Sequence, residues 1–356
     1  MTMMMSSDNT LARLPAEWEP QGAVLLAWPH KDTDWAYMLD EAQKCYADMI
    51  EAFIKSAVVI LIAPDTSEPR ERLKHIDPAR LIFFDVPTND TWIRDYGAIT
   101  TKDENSGCFT INDFGFNAWG GKFESALDNA VTARMVEAGL LVGHYVDNRN
   151  FILEGGSIES EGHGTIMTTS SCLLTTTRNK EYSKEDIESR LRSTLGAKKV
   201  LWLDKGEILG DDTDGHIDTI ARFAPDNTIL YCGSTWGDPS DPQTKALNGV
   251  GDRLATFTDA QGEPFNLIEL PMPYPIYDPE DGHRLPATYA NFLILNDSVF
   301  MPSYGQPQND RHAKMTLQIA FPNHNIVEVD CRALIRQHGS LHCATMQVPY
   351  DIVPFL

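Results

Sequence analysis

Long apolar runs are missing from the chain, and the longest unbroken one, Ala57 to Ala63, falls far short of the roughly 20 residues that a bilayer-spanning helix needs. No membrane partner is expected. Cysteine is sparse and scattered. Cys45, Cys108, Cys172, Cys232, Cys331 and Cys343 form no CxxC pair, which points away from a disulfide framework or a thiolate zinc site. Positive charge is scarce as well: 29 basic residues face 51 acidic ones, for a formal net charge of -22. Such a field repels nucleic acid and anionic lipid and raises the local concentration of a small polycation. An acidic surface also serves plain solubility, so charge sets only a direction. Met1 to Ser7 has neither the basic start nor the apolar centre of a signal peptide. We expect a disordered leader over residues 1–14, a single domain over 15–356 and a cytoplasmic protein.

What the sequence does hold is a recurring pattern. The strand Ala23 to Trp28 is followed by a helix with Trp35, Met38, Leu39, Ala42, Tyr46, Met49, Ile50 and Phe53 at helical spacing, then by strands near Val58 to Ile62 and Leu81 to Val86. After that, hairpin, helix and strand return at roughly 60- to 75-residue intervals. The hairpins centre on the turns Lys102 to Gly107, Gly162-His163-Gly164, Pro225-Asp226-Asn227 and Asn296-Asp297. Helices are expected near Glu124 to Ala138, from the N-cap Ser183 to Gly196, around Ala246 to Leu254, and near Asp310 to Ala320. A last strand, near His342 to Val348, has no helix after it. Paired with Ala23 to Trp28 it completes a fifth unit and closes a ring without open sheet edges.

Chemistry gathers at the unit starts. Gly210 to Phe223 runs from an acidic loop with Asp211, Asp212 and Asp214 into His216-Ile217-Asp218. If that segment is a strand, the imidazole and the carboxylate share a face. A histidine can move a proton while a fixed carboxylate holds a cation; a solvated acidic turn is the plain alternative. Gly339-Ser340-Leu341-His342-Cys343 places a thiol at a turn, where a base or cation would make it a nucleophile. His338 and His342 stand four apart, but Gly339 and the strand beyond argue against a helical metal pair. In the repeat scheme Asp95, Glu154, His216 and Cys343 occupy equivalent places, which in a ring converge on the axis.

The segments Trp92-Ile93-Arg94-Asp95, Phe116 to Gly121, Leu153-Glu154-Gly155-Gly156, Asp214 to Asp218, Asn309-Asp310-Arg311 and His342-Cys343 together resemble the agmatine deiminases of the peptidylarginine-deiminase family, from about Pro15 to Val348. That resemblance implies the pentein α/β-propeller, five ββαβ units in a closed ring. It implies Cys343 as nucleophile, His216 as general acid/base, Asp95 and Asp218 as carboxylates that grip a guanidinium, and Glu154 as a further acid orienting His216. It also implies a small cationic substrate, agmatine, with Asp212 toward its amine end and Trp92 and Trp119 walling its tail. No cofactor or metal is implied, and dimers are what the family suggests. Two departures stand out: His338-Gly339-Ser340-Leu341 replaces a longer glycine run, and Asp214 stands where relatives carry Asn.

Two other readings remain. A peptidylarginine or free-arginine deiminase would need a cationic clamp for the substrate carboxylate, for which Arg94 and Arg311 are the candidates. A non-catalytic propeller that serves as a binding module would not need cysteine, histidine and three acids at matching unit starts.

Overall fold

The computed structural model describes residues 12–355, and among them the strands fall into five separate sheets. In four of these an antiparallel hairpin is followed by a strand that returns parallel to the hairpin's second strand. Ile99–Asp103 and Phe109–Gly115 are joined by His144–Ile152. Ile158–Ser160 and Thr165–Thr169 are joined by Lys199–Leu203, Ala221–Ala224 and Thr228–Cys232 by Asn266–Leu270, and Leu293–Leu295 and Ser298–Ser303 by Asn325–Asp330. The fifth sheet takes Met346–Pro349 from one end of the sequence and pairs it antiparallel with Gln21–Ala27 from the other. Val58–Ala63 and Leu81–Asp85 then follow in parallel.

Burial explains the composition. Every residue of Gln21–Ala27 and Val58–Ala63 is buried, so both read as continuous apolar runs, as strands covered on both faces do. The helix Lys184–Leu195 turns Ile187, Leu191 and Leu195 inward. Ser183 and Asp186 cap it reciprocally, and Gly196 ends it at φ 70°.

Three expectations need correction, and one strand went unforeseen. The helix expected from Glu124 shrinks to a 3-10 turn, Asp128–Ala130, and a short α-helix, Val131–Glu137. His144–Ile152 is a strand that the sequence hid, because HYVDNRNFI is largely polar and buries only Asn148 and Phe151. The helix around Ala246 is two pieces, Pro242–Ala246 and Val250–Leu254, separated at Gly249 with φ 80°. Of the expected leader, residues 1–11 lie outside the described residues, but Ala12–Arg13 pair with Asp103 and Lys102, and the Leu14 N–H donates to Leu195 O.

Candidate active site

Each sheet's first strand is preceded by a tight turn, and these turns present the polar groups. Asp95 lies in the single helical turn Ile93–Tyr96, ahead of the strand at Ile99. Glu154 caps the 3-10 turn Gly155–Ser157, ahead of Ile158. His216 caps the 3-10 turn Ile217–Thr219, ahead of Ala221. Cys343 sits in the turn before Met346, and Asn291 occupies the matching place before Leu293. His216 and Asp218 are therefore not on a strand, as the alternation suggested. A 3-10 turn carries both, closed by the Ile220 N–H to Ile217 O at 2.9 Å.

The expected catalytic set is brought together and buried. Asp95 Oδ1 lies 3.7 Å from His216 Nδ1, and Asp218 Oδ2 lies 3.8 Å from Cys343 Sγ. Gly156 marks the centre. A β-carbon there would stand 2.7 Å from His216 Nδ1, 2.9 Å from Asp95 Oδ1 and 3.0 Å from Asp218 Oδ2, so only glycine leaves these groups a common space. Asp95 is held by the Gly156 N–H at 2.9 Å and by Trp119 Nε1 at 3.0 Å. Asn291 accepts the N–H groups of His342 and Cys343, at 2.9 and 3.3 Å, and brings its amide Nδ2 within 3.2 Å of the sulfur.

The electrostatics separate the roles. Burial pushes the Cys343 thiol well up, and Asp218 and Asp95 push it further, against weaker help from Ser340 and Asn291. Burial also raises Asp95 to about 6; His216 opposes the shift, while Asp218 and Glu154 add to it. For His216, burial works against the charged form, yet Asp95, Cys172 and Glu154 outweigh it and hold the imidazole well above its usual range. Burial would raise Asp218, but His342, His216 and Arg222 hold its carboxyl below the ordinary value.

Other expectations fare differently. Glu154 is close to His216, with Cys172 beside both and their ligand atoms within 4.8 Å of one another. It does not bond the imidazole; Glu154 Oε1 accepts Arg178 Nε at 2.9 Å, while Oε2 and both His216 nitrogens have no partner. The acidic loop is no single cation site. Asp211 braces it through Thr213 and the Gly215 N–H, and Asp214 pairs with Arg178 and Lys122, so only Asp212 is left to the pocket. His338 and His342 diverge: Nδ1 of the first meets Gly210 O, while His342 contacts Asp218 and Glu17. A second acidic and histidine-bearing cluster joins Glu17, Glu159 and His342, with ligand atoms within 4.8 Å of one another. Arg222 already bonds both of its acids there, as Arg178 bonds Glu154 in the first.

A narrow pocket leads to the sulfur, lined by Trp92, Trp119, Phe123, Asp34, Asp90, Asp95, Asp212, Thr213, Gln337, His338, Gly339 and Cys343. Both tryptophans thus wall it. Trp92 packs so closely on Gly339 that a β-carbon there would lie 2.3 Å from its ring. The shortened glycine turn keeps the one glycine this contact needs. Sequence reading missed Asn291, Asp34, Asp90, Arg178 and the contacts of His342; only Asn291 had a signal, the fifth unit start.

Four hairpin-led units and a fifth built from both ends of the sequence, whose entry turns deliver Asp95, Glu154, His216 with Asp218, Asn291 and Cys343 to one site, make this an α/β protein of the pentein class. The comparisons narrow the class. The family model for Porphyromonas-type peptidyl-arginine deiminase matches residues 13–349. A curated relative from Marinomonas sp. (strain MWYL1), named "Putative agmatine deiminase", is 36% identical over 357 residues, 95% of this chain and 94% of its own. Solved structures superpose closely. A cysteine-to-serine variant of the C. jejuni agmatine deiminase with substrate bound is 40% identical at a TM-score of 0.86, covering 95% of this chain and 96% of that one. The agmatine deiminase of Enterococcus faecalis, catalysing its reaction, is 30% identical at a TM-score of 0.85 with the same coverages. The chain belongs to the Porphyromonas-type peptidyl-arginine deiminase family.

Proposed function

We propose that the chain is an agmatine deiminase, converting agmatine and water to N-carbamoylputrescine and ammonia. The observation that carries this reading is the pocket lining: four carboxylates, Asp34, Asp90, Asp95 and Asp212, and no lysine or arginine. Such a wall suits a substrate charged positively at both ends and disfavours a carboxylate, which would ask for a cationic clamp. Arg94 is no clamp, being spent on Glu17, Gln347 and the His342 carbonyl, and Arg311 is exposed on the helix Pro307–Ala320.

Asp95 and Asp218 hold the planar guanidinium, and Asp90 and Asp212 attract the distal ammonium. The Cys343 thiolate attacks the guanidinium carbon. His216 gives its proton to the departing nitrogen, which leaves as ammonia, and an S-alkylthiouronium remains on the sulfur. His216 then takes a proton from water, whose oxygen attacks the same carbon; as the C–S bond breaks and the thiolate returns, the remaining hydroxyl proton passes to solvent and the neutral carbamoyl product is left. Glu154, fixed by Arg178, supports His216 by charge. We also read the five sheets as a closed ring around these turns, one domain over residues 15–356. The six unpaired cysteines favour a cytoplasmic setting.

Ammonia release from agmatine, free arginine and a C-terminal arginyl peptide tests the assignment. Agmatine should give a kcat/KM on the order of 100-fold above either competitor, as expected where a buried charge must otherwise go unpaired. Preference for arginine or the peptide would overturn the substrate and spare the mechanism.

A further inference from the structure

Behind Asp218 lies a largely buried group of charges, part-exposed only at Glu17, for which the chemistry above has no use. His342 Nδ1 stands 2.7 Å from Asp218 Oδ2, and its Nε2 stands 2.7 Å from Glu17 Oε1 and 3.1 Å from Arg222 Nη2. Arg222 bonds Glu17 Oε2 at 2.7 Å and also Glu159. Arg94 reaches Glu17 at 3.3 Å and donates to the His342 carbonyl at 3.3 Å. Two guanidiniums, Arg222 and Arg94, thus share this network with three acids, Asp218, Glu17 and Glu159, and the His342 imidazole bridges Asp218 to Glu17; such pairing offsets the cost of burying the charges.

Resting on the proposed deimination, we infer that His342, anchored by Glu17, is a positioning residue for the reaction: it clamps Asp218 Oδ2 and leaves Oδ1 to the substrate guanidinium. Asp218 Oδ1 is buried and has no partner, which is costly unless a ligand supplies one. The groups that face Asp218 are His342, His216, Arg222, Arg94, Asp95 and the Cys343 sulfur. Of these only His342 makes it a short hydrogen bond. Without that bond, burial and Asp95 would push the Asp218 carboxyl up, and the grip on the cation would weaken. Glu17 keeps the imidazole from turning away. It reaches the site from 325 residues earlier in the sequence, beside a separate cavity lined by Arg94, Glu159 and Met346.

Two substitutions divide the clamp. In His342→Asn the amide N–H can take the place of Nδ1 and keep the bond to Asp218, while His342→Gln can take the place of Nε2 and keep only Glu17. Agmatine turnover by the full-length wild type and both variants is followed from pH 5 to 9. Wild-type turnover must appear first; its absence would sink the function itself. For His342→Gln the KM should rise on the order of 10- to 100-fold. The acid limb of kcat/KM should move up by about one pH unit and steepen, as a second carboxylate joins Asp95 in titrating. His342→Asn should stay within a few-fold of wild type with an unshifted limb. Equal losses in both variants with the wild-type pH profile would mark a merely structural role and overturn the inference. Should neither His342 variant fold, Glu17→Gln decides by the same limb: an upward shift supports the clamp, and an unshifted limb contradicts it.

Discussion

At Cys343, the carboxylates that would receive the substrate make the free nucleophile a poor one. Burial, Asp218 and Asp95 all favour the thiol, so thiolate should form only once a guanidinium neutralises those carboxylates. Iodoacetamide, a neutral reagent, should therefore alkylate Cys343 slowly at pH 7 in the free protein. The rate should keep rising above the ordinary thiol range of about 8.5, and Asp218→Asn should quicken it. Rapid alkylation of Cys343 at pH 7 would contradict this. Asp95 sets the acid limit. A carboxyl raised to about 6 is protonated below that pH and cannot hold the cation, so kcat/KM should fall as pH drops through about 6. The pocket wall adds a second titration. Burial is the main push that brings Asp90 to about 7; as it ionises the ammonium gains a partner, so the KM for agmatine should fall between pH 6 and 8. Asp90→Asn should raise the KM and flatten that dependence.

The working element is the tight turn ahead of each first strand, and its tolerance for side chains is small. Gly156→Ala would place a methyl against His216, Asp95 and Asp218. A misplacement of that kind should lower kcat/KM on the order of 100-fold with little change in melting temperature. Away from these turns the units should behave as ordinary scaffold. Ser183→Ala, which removes a reciprocal cap on an exposed helix start, should cost about 1 kcal/mol of stability and leave kcat unchanged. The turns also show how much could be read without coordinates. Hairpin spacing placed Asp95, Glu154, His216 and Cys343 at equivalent positions, and they do converge. The same spacing offered a fifth place at Asn291, but an asparagine just before an apolar run reads as an ordinary turn residue. The strand expected through His216 failed because alternation over so few residues does not separate a strand from a short turn; the turn still leaves His216 and Asp218 both beside Gly156. Glu17 and Asp34 carried no signal, since their roles depend on contacts hundreds of residues away.

Over the whole molecule, the net charge of -22 and the acidic pocket act in one direction on a small dication. Steering by such a field weakens as salt shortens its reach to about 10 Å at 0.1 M. The kcat/KM for agmatine should therefore fall several-fold between low and physiological ionic strength, mostly through KM. A flat response would mean that the field plays no part in capture. All scales meet in one claim, that five sheets bring their turns together so that Cys343 forms a covalent bond with the guanidinium carbon. Acid quenching during agmatine turnover, followed by peptide mass analysis, tests it most directly. The expected result is a fraction of the chain heavier by agmatine less ammonia, with the addition on the peptide bearing Cys343. Continued ammonia release from a chain that is never modified, or modification at Cys172 instead, would contradict it.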